Sequence, residues 1–141
     1  MTRLLAPLLG LTLVVGCPKD PRQQPYEPCH ATGTVTLDGK PLANGMVTYV
    51  PQIAESAGGH PGTASIDANG KYTLGNADNG RYKPLRPGEY VVMVVAMDVD
   101  RSRGKPAPKL QVPARYAGAE ESPLRVTLVP GDNAVDLKLT R

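Results

Sequence analysis

The chain has no phenylalanine and no tryptophan, so tyrosine supplies all six of its aromatic side chains. Without tryptophan, a flat aromatic platform for sugars is disfavoured. Cysteine occurs only twice, at Cys17 and Cys29, too few for a disulfide framework, so a core must hold any fold. Neither sign of charge dominates: 16 Lys+Arg against 13 Asp+Glu give +3, too small and too scattered to indicate nucleic acid. No apolar run reaches the ~20 residues that a membrane-spanning helix needs. The two histidines, His30 and His60, do not form His-Glu-x-x-His, and no Gly-x-Ser-x-Gly is present, so zinc-protease and hydrolase-elbow chemistry lack their signatures. Glycine and proline are plentiful, 15 of each, yet not at low-complexity levels. A length of 141 residues suggests one domain. A large enzyme, a multi-pass membrane protein and a disordered tail are all disfavoured.

The N-terminus reads as a secretory signal over residues 1–16. Arg3 is the positive start, and Leu4–Val15 is the apolar stretch, broken by Pro7, Gly10 and Thr12. Val14-Val15-Gly16-Cys17 then resembles a bacterial lipobox, with an aliphatic residue, a tolerant position, a small residue and cysteine. In that family the cysteine thiol is acylated and becomes the first residue of the mature chain. The resemblance implies a palmitate-type lipid on Cys17, export, and a membrane anchor on the periplasmic or surface side of the cell envelope. Pro18 is not the aspartate that marks inner-membrane retention in some bacteria. With Cys17 acylated, Cys29 has no partner within the chain, leaving it a buried thiol, a reactive one or an intermolecular link.

Residues 17–29 carry Pro18, Pro21, Pro25 and Pro28 and no aliphatic side chain. Such a stretch cannot bury enough surface to offset chain entropy. It reads as an extended tether of up to ~3.1 Å per residue.

From 30 to 141 the pattern has a period of two. Ala31, Gly33, Val35 and Leu37 fall on one face, with Thr32, Thr34, Thr36 and Asp38 on the other. Asp38-Gly39 marks a turn. Met46–Val50 is a strand closed by Pro51. Thr63–Asp67 and Lys71–Leu74 flank Ala68-Asn69-Gly70 as a hairpin. Tyr90–Met97 is continuously apolar, as in a strand covered on both faces, and Pro87-Gly88 opens it. Leu124–Val129 and Ala134–Thr140 alternate about a turn at Pro130–Asn133. Seven short strands and no capped amphipathic helix predict an all-β sandwich.

The wording of these strands resembles carboxypeptidase regulatory-like domains. The resemblance runs through Gly33–Pro51 (Gly-x-Val, a glycine turn, Pro-Leu, then a strand), Asp67–Leu74 (Asp-x-x-Gly-x-Tyr) and Pro87–Val92 (Pro-Gly-x-Tyr). Val112–Tyr116 and Pro130–Asn133 are similar to closing segments of small bacterial lipoproteins with this domain. The resemblance implies a seven-stranded prealbumin-like (transthyretin-like, Ig-like) β-sandwich and says little about function. It carries no zinc site. A transthyretin-related hydrolase would end Tyr-Arg-Gly-Ser, whereas this chain ends Leu-Lys-Leu-Thr-Arg.

Few residues suggest chemistry. Asp67, Asn69, Asn76 and Asp78 offer oxygen ligands around one turn, but lack the acids of a calcium loop, and Asp and Asn also build turns by bonding their own backbone. Tyr26, Tyr82 and Tyr116 fall in or beside loops, where they either stack on a ligand or pack on the sandwich edge, while Tyr49, Tyr72 and Tyr90 sit in strands as core. Arg101, Arg103, Lys105 and Lys109 form a short basic cluster, either a solvated loop or a contact for anionic lipid or polysaccharide. Tyr82, Tyr116, Arg101, Arg103 and Lys105 are therefore the candidate contacts, and Cys17 the lipidation site. The expectation is a non-enzymatic, lipid-anchored envelope protein without cofactor or metal, with a structural or protein-interaction role. The alternative is a glycan-binding module.

Overall fold

The computed structural model describes residues 25–54, 58–75, 84–98 and 109–141. Within them lie ten strand segments: β1 Cys29–Leu37, β2 Lys40–Pro41, β3 Gly45–Pro51, β4 Gly62–Ser65, β5 Lys71–Leu74, β6 Gly88–Asp98, β7 Lys109–Leu110, β8 Arg125–Leu128, β9 Gly131–Ala134 and β10 Leu137–Leu139. A 3₁₀ turn spans Ala114–Tyr116.

β1 shows why the chain chooses sheet. Ala31, Val35 and Leu37 are buried while Thr32 is exposed and Thr34 and Thr36 are half-buried, the two-residue period of a strand with one face in the core. At its end Asp38 and Gly39 both take positive φ, 50° and 81°, the geometry of a tight hairpin turn into β2. β1 is the spine of the first sheet. Antiparallel β5 and β2 line one side of it, and parallel β9 and β10 line the other. Cys29 faces Gly131 and Val35 faces Leu137, so β9 and β10 keep a single register along β1. Between them the chain presses onto Gly33, where a Cβ would stand 1.8 Å from the Val135 carbonyl oxygen. Only glycine fits there.

The second sheet is built on β6. Antiparallel β3 pairs along most of it, β4 adds outside β3, and the other edge of β6 is shared by β8 and β7. Val47, Tyr49, Tyr90, Val92, Val94 and Leu128 point inward and meet Ala31, Val35, Tyr72, Leu74 and Leu137 of the first sheet in one core. This is an all-β sandwich.

Four sequence expectations change. Three short segments, β2, β7 and β9, add to those at the seven expected positions and make ten among the described residues. The expected 63–74 hairpin is a corner. The turn forms, with Gly70 at φ 79°, but β4 pairs β3 in one sheet and β5 pairs β1 in the other. Gly131–Asn133 is the start of β9 and not a turn between strands, so the chain changes sheets at Val129–Pro130. Finally, β6 is covered on both faces only at Tyr90–Val92; beyond these its outward side chains are Met93 and Val95, half-buried, and Met97, 48% exposed.

Candidate functional site

Cys17, Tyr82, Arg101, Arg103, Lys105, Asn76 and Asp78 lie outside the described residues. Tyr116 lies among the described residues. It is buried, its hydroxyl accepts the Thr140 N–H at 3.1 Å, and the Arg115 guanidinium lies 4.9 Å from its ring centroid while also donating to the Thr140 carbonyl. Its ring packs in the core and its hydroxyl helps to fasten the segment at Thr140. Asp67 also acts locally. Its Oδ1 accepts the N–H groups of Asn69 and Lys71, each at 2.8 Å, and so builds the corner turn.

Tyr49, Tyr72 and Tyr90 are core, as their strand positions predict. Tyr72 donates to the Val135 carbonyl at 2.6 Å, which leaves Tyr49 to donate to the Tyr72 oxygen at 2.8 Å. The two hydroxyls thus form a relay that crosses from one sheet to the other. Burial pushes Tyr49 well above the ordinary tyrosine range, and the neighbouring Tyr72 hydroxyl raises it further. Burial also raises Tyr72 and Tyr90 to about 12, so all three stay neutral at physiological pH.

A polar cluster closes the end where the N-terminal segment joins the domain. Tyr26 donates to the Pro84 carbonyl at 2.6 Å, and the Arg86 guanidinium covers its ring at 4.0 Å. The ring nitrogens of His60 lie 3.1 Å from the Pro84 carbonyl oxygen and 3.2 Å from that of Gly58. Tyr90 donates to the Arg86 carbonyl, and the Cys29 N–H donates to the Leu85 carbonyl. The Cys29 thiol is fully buried and unpaired; burial, then the Glu27 carboxylate, pushes its pKa up, which makes it a poor nucleophile. His30 Nδ1 is buried beside Gly75 without a hydrogen-bond partner. The sequence marks Tyr26 and His60 individually, but only the tertiary fold brings both to the Pro84 carbonyl.

The outward face of the second sheet has a different character. Met46 stands opposite Val95, and Met97 opposite Leu110. Met46 is 49%, Met97 48% and Leu110 40% exposed. The signal for this face in the sequence is Met46 and Met97 at outward positions of their strands, the second of them hidden inside the apolar run Tyr90–Met97, which reads as buried throughout. Among the described residues no group of three or more His, Cys, Asp or Glu is placed to hold a metal ion, and no helix is long and apolar enough to cross a membrane.

No protein-family model matches the chain. No curated protein matches it either. Among solved structures, it is similar to the crystal structure of a 9R-lipoxygenase from Cyanothece PCC8801 at 15% identity and a TM-score of 0.39. The match covers 92% of this chain and 18% of that protein, a likeness that bears on neither activity nor ligand.

Proposed function

We propose that this chain is an exported, lipid-anchored protein of a bacterial cell envelope with a non-enzymatic structural or protein-interaction role. The observation that carries the reading is Val14-Val15-Gly16-Cys17 at the end of an apolar run led by Arg3. In this reading residues 1–16 are the signal, Cys17 is the acylated residue, and the tether of 17–29 leads into the domain of 30–141, the tether's last residue, Cys29, lying already in β1. Its resemblance to carboxypeptidase regulatory-like domains of prealbumin type belongs to the same proposal. A sandwich closed around its own core supports it, because such a scaffold leaves strand edges and end loops free to recruit a partner.

Two experiments test it. Cys17→Ala should move the protein from the membrane fraction to the soluble fraction; a variant that is cut at its signal and still pellets with membranes would refute the anchor. Cross-linking of the C-terminally tagged protein in intact cells, followed by mass spectrometry, should capture a reproducible protein partner. A co-purifying saccharide with no protein partner would replace the interaction role with glycan binding.

A further inference from the structure

We propose that the corner formed by Met46, Val95, Met97 and Leu110 is a docking site for an anionic lipid bilayer, which lays the domain down on the membrane. The inference rests on the anchoring reading above and adds an orientation and a second contact to it.

Three observations converge on this occupant. The first is contiguity. Met46 faces Val95 across β3 and β6, Met97 is two residues further along the same face, and Leu110 faces Met97 from β7. Their neighbours Val47, Val94 and Ala96 take the inward positions, so the four make one outward apolar corner. Two other exposed apolar residues, Ile53 and Val129, do not join into such a patch. They follow the ends of β3 and β8 at the opposite end of β6, with the exposed Glu89 on the strand between them. A carboxylate there opposes an anionic surface. Methionine and leucine at the corner are unbranched at Cβ, and methionine in particular adapts its shape to a disordered partner such as acyl chains.

The second is charge. In sequence, the stretch from Asp98 to Lys109 that separates Met97 from Leu110 holds four basic residues (Arg101, Arg103, Lys105, Lys109) against two acids (Asp98, Asp100), a net +2. Exposed apolar side chains flanked in sequence by basic ones suit the acyl boundary and the anionic headgroups of one leaflet.

The third is reach. The chain joins the domain where Cys29 bridges Leu85, just ahead of the start of β6, and the corner lies at the far end of that strand. From Gly88 to Met97 is roughly 30 Å of strand. Tyr26 is held on Pro84 and Arg86, so the free stretch runs from Cys17 to Tyr26, roughly 28 Å when extended. With the domain tilted about that attachment, an anchor at Cys17 leaves enough chain for the corner to reach the bilayer that holds it.

Methionine oxidation provides the test with native residues. The chain from Cys17 to Arg141, which contains the whole core from Cys29 to Leu139, is coupled through Cys17 to maleimide lipid in vesicles containing phosphatidylglycerol. Cys29 is fully buried and does not compete for the maleimide. Anchoring in this experiment is independent of acylation in cells, which the mass of the N-terminal peptide from cells reads separately. Peroxide oxidation of Met46 and Met97, followed by mass spectrometry, should be slowed about threefold or more on the vesicles relative to the free protein. The protection should fall on phosphatidylcholine vesicles and at high salt. Equal rates on vesicles and in solution would overturn the proposal. Protection that is the same on both lipids would overturn the anionic preference. Protection of the free protein that grows with its concentration would assign the corner to a second copy of the chain and overturn the bilayer.

Discussion

Tyr72→Phe removes one oxygen from the middle of the sandwich and breaks two hydrogen bonds at once. In the native protein that oxygen accepts from Tyr49 and its proton goes to the Val135 carbonyl. After the change, the Tyr49 hydroxyl, on a side chain with no exposed surface, loses its acceptor, and the Val135 carbonyl loses this donor. A lost bond costs about 1 kcal/mol net, and an orphaned buried donor adds about 1–3 kcal/mol. The single variant should therefore lose about 2–4 kcal/mol, a large share of the roughly 5–15 kcal/mol typical of a domain. Tyr49→Phe should lose only about 0.5–1.5 kcal/mol, because Tyr72 keeps its bond to Val135. The double variant is the decisive one. It no longer contains the orphaned Tyr49 hydroxyl, so it should be more stable than Tyr72→Phe alone. Urea unfolding with unchanged m-values measures all three. If the double loses the sum of the two singles to within about 0.5 kcal/mol, the relay is wrong as drawn.

The remaining predictions use other parts of the fold. Tyr72 and Tyr90 are held neutral up to about 12 in the folded chain, against 10.0 ordinarily, so their contribution is complete below about pH 10 and is lost as pH rises toward 12; the urea midpoint should fall across that window, and fall less in Tyr72→Phe, whereas a midpoint that holds steady to pH 12 would contradict it. Gly33→Ala drives a Cβ into the Val135 carbonyl and should cost about 3 kcal/mol or more in a thermal melt, while Gly39→Ala, with open space around it but φ at 81°, should cost about 1 kcal/mol; equal losses would refute the close approach. In a Cys17→Ser background, Cys29 should react with a thiol reagent about a hundredfold slower in the folded protein than in concentrated urea, and a similar rate in both would place the thiol at the surface.

Local structure is legible in the sequence, and the long-range arrangement is hidden. Alternation along Ala31–Leu37, the Asp38-Gly39 turn and the core placement of Tyr49, Tyr72 and Tyr90 all follow from side-chain period and turn chemistry. Asp67 and Gly70 also set their turn as expected, since both act on the backbone next to them. What they do not encode is which sheet the following strand joins, because that depends on partners far away in the chain. The same limit explains why Pro130–Asn133 reads as a turn between strands. Asn133 bonds Val129 and Gly131 locally, but it also donates to His30 from 103 residues away. Tyr116 reads as a loop residue because Pro113 precedes it and Gly118 follows, and nothing nearby in sequence announces Thr140 as its partner. The apolar corner is concealed by composition: Tyr90–Met97 reads as uniformly buried, although β7 covers only the edge of its last residues.

The first strand made is the one that the last strands complete. Thr34 donates its backbone N–H to Asp136, 102 residues later, and β9 and β10 flank β1 along its length. At a synthesis rate of about 5–20 residues per second, β1 waits on the order of 5–20 s for those neighbours. Until they arrive, the first sheet lacks one side, and Leu137 and Leu139 are missing from the core. The wait also carries a hazard, because for those seconds β1 is an unpaired edge that a neighbouring nascent chain can pair with. Strand order thus makes closure of the first sheet a late event, one that waits until Leu139 has been made.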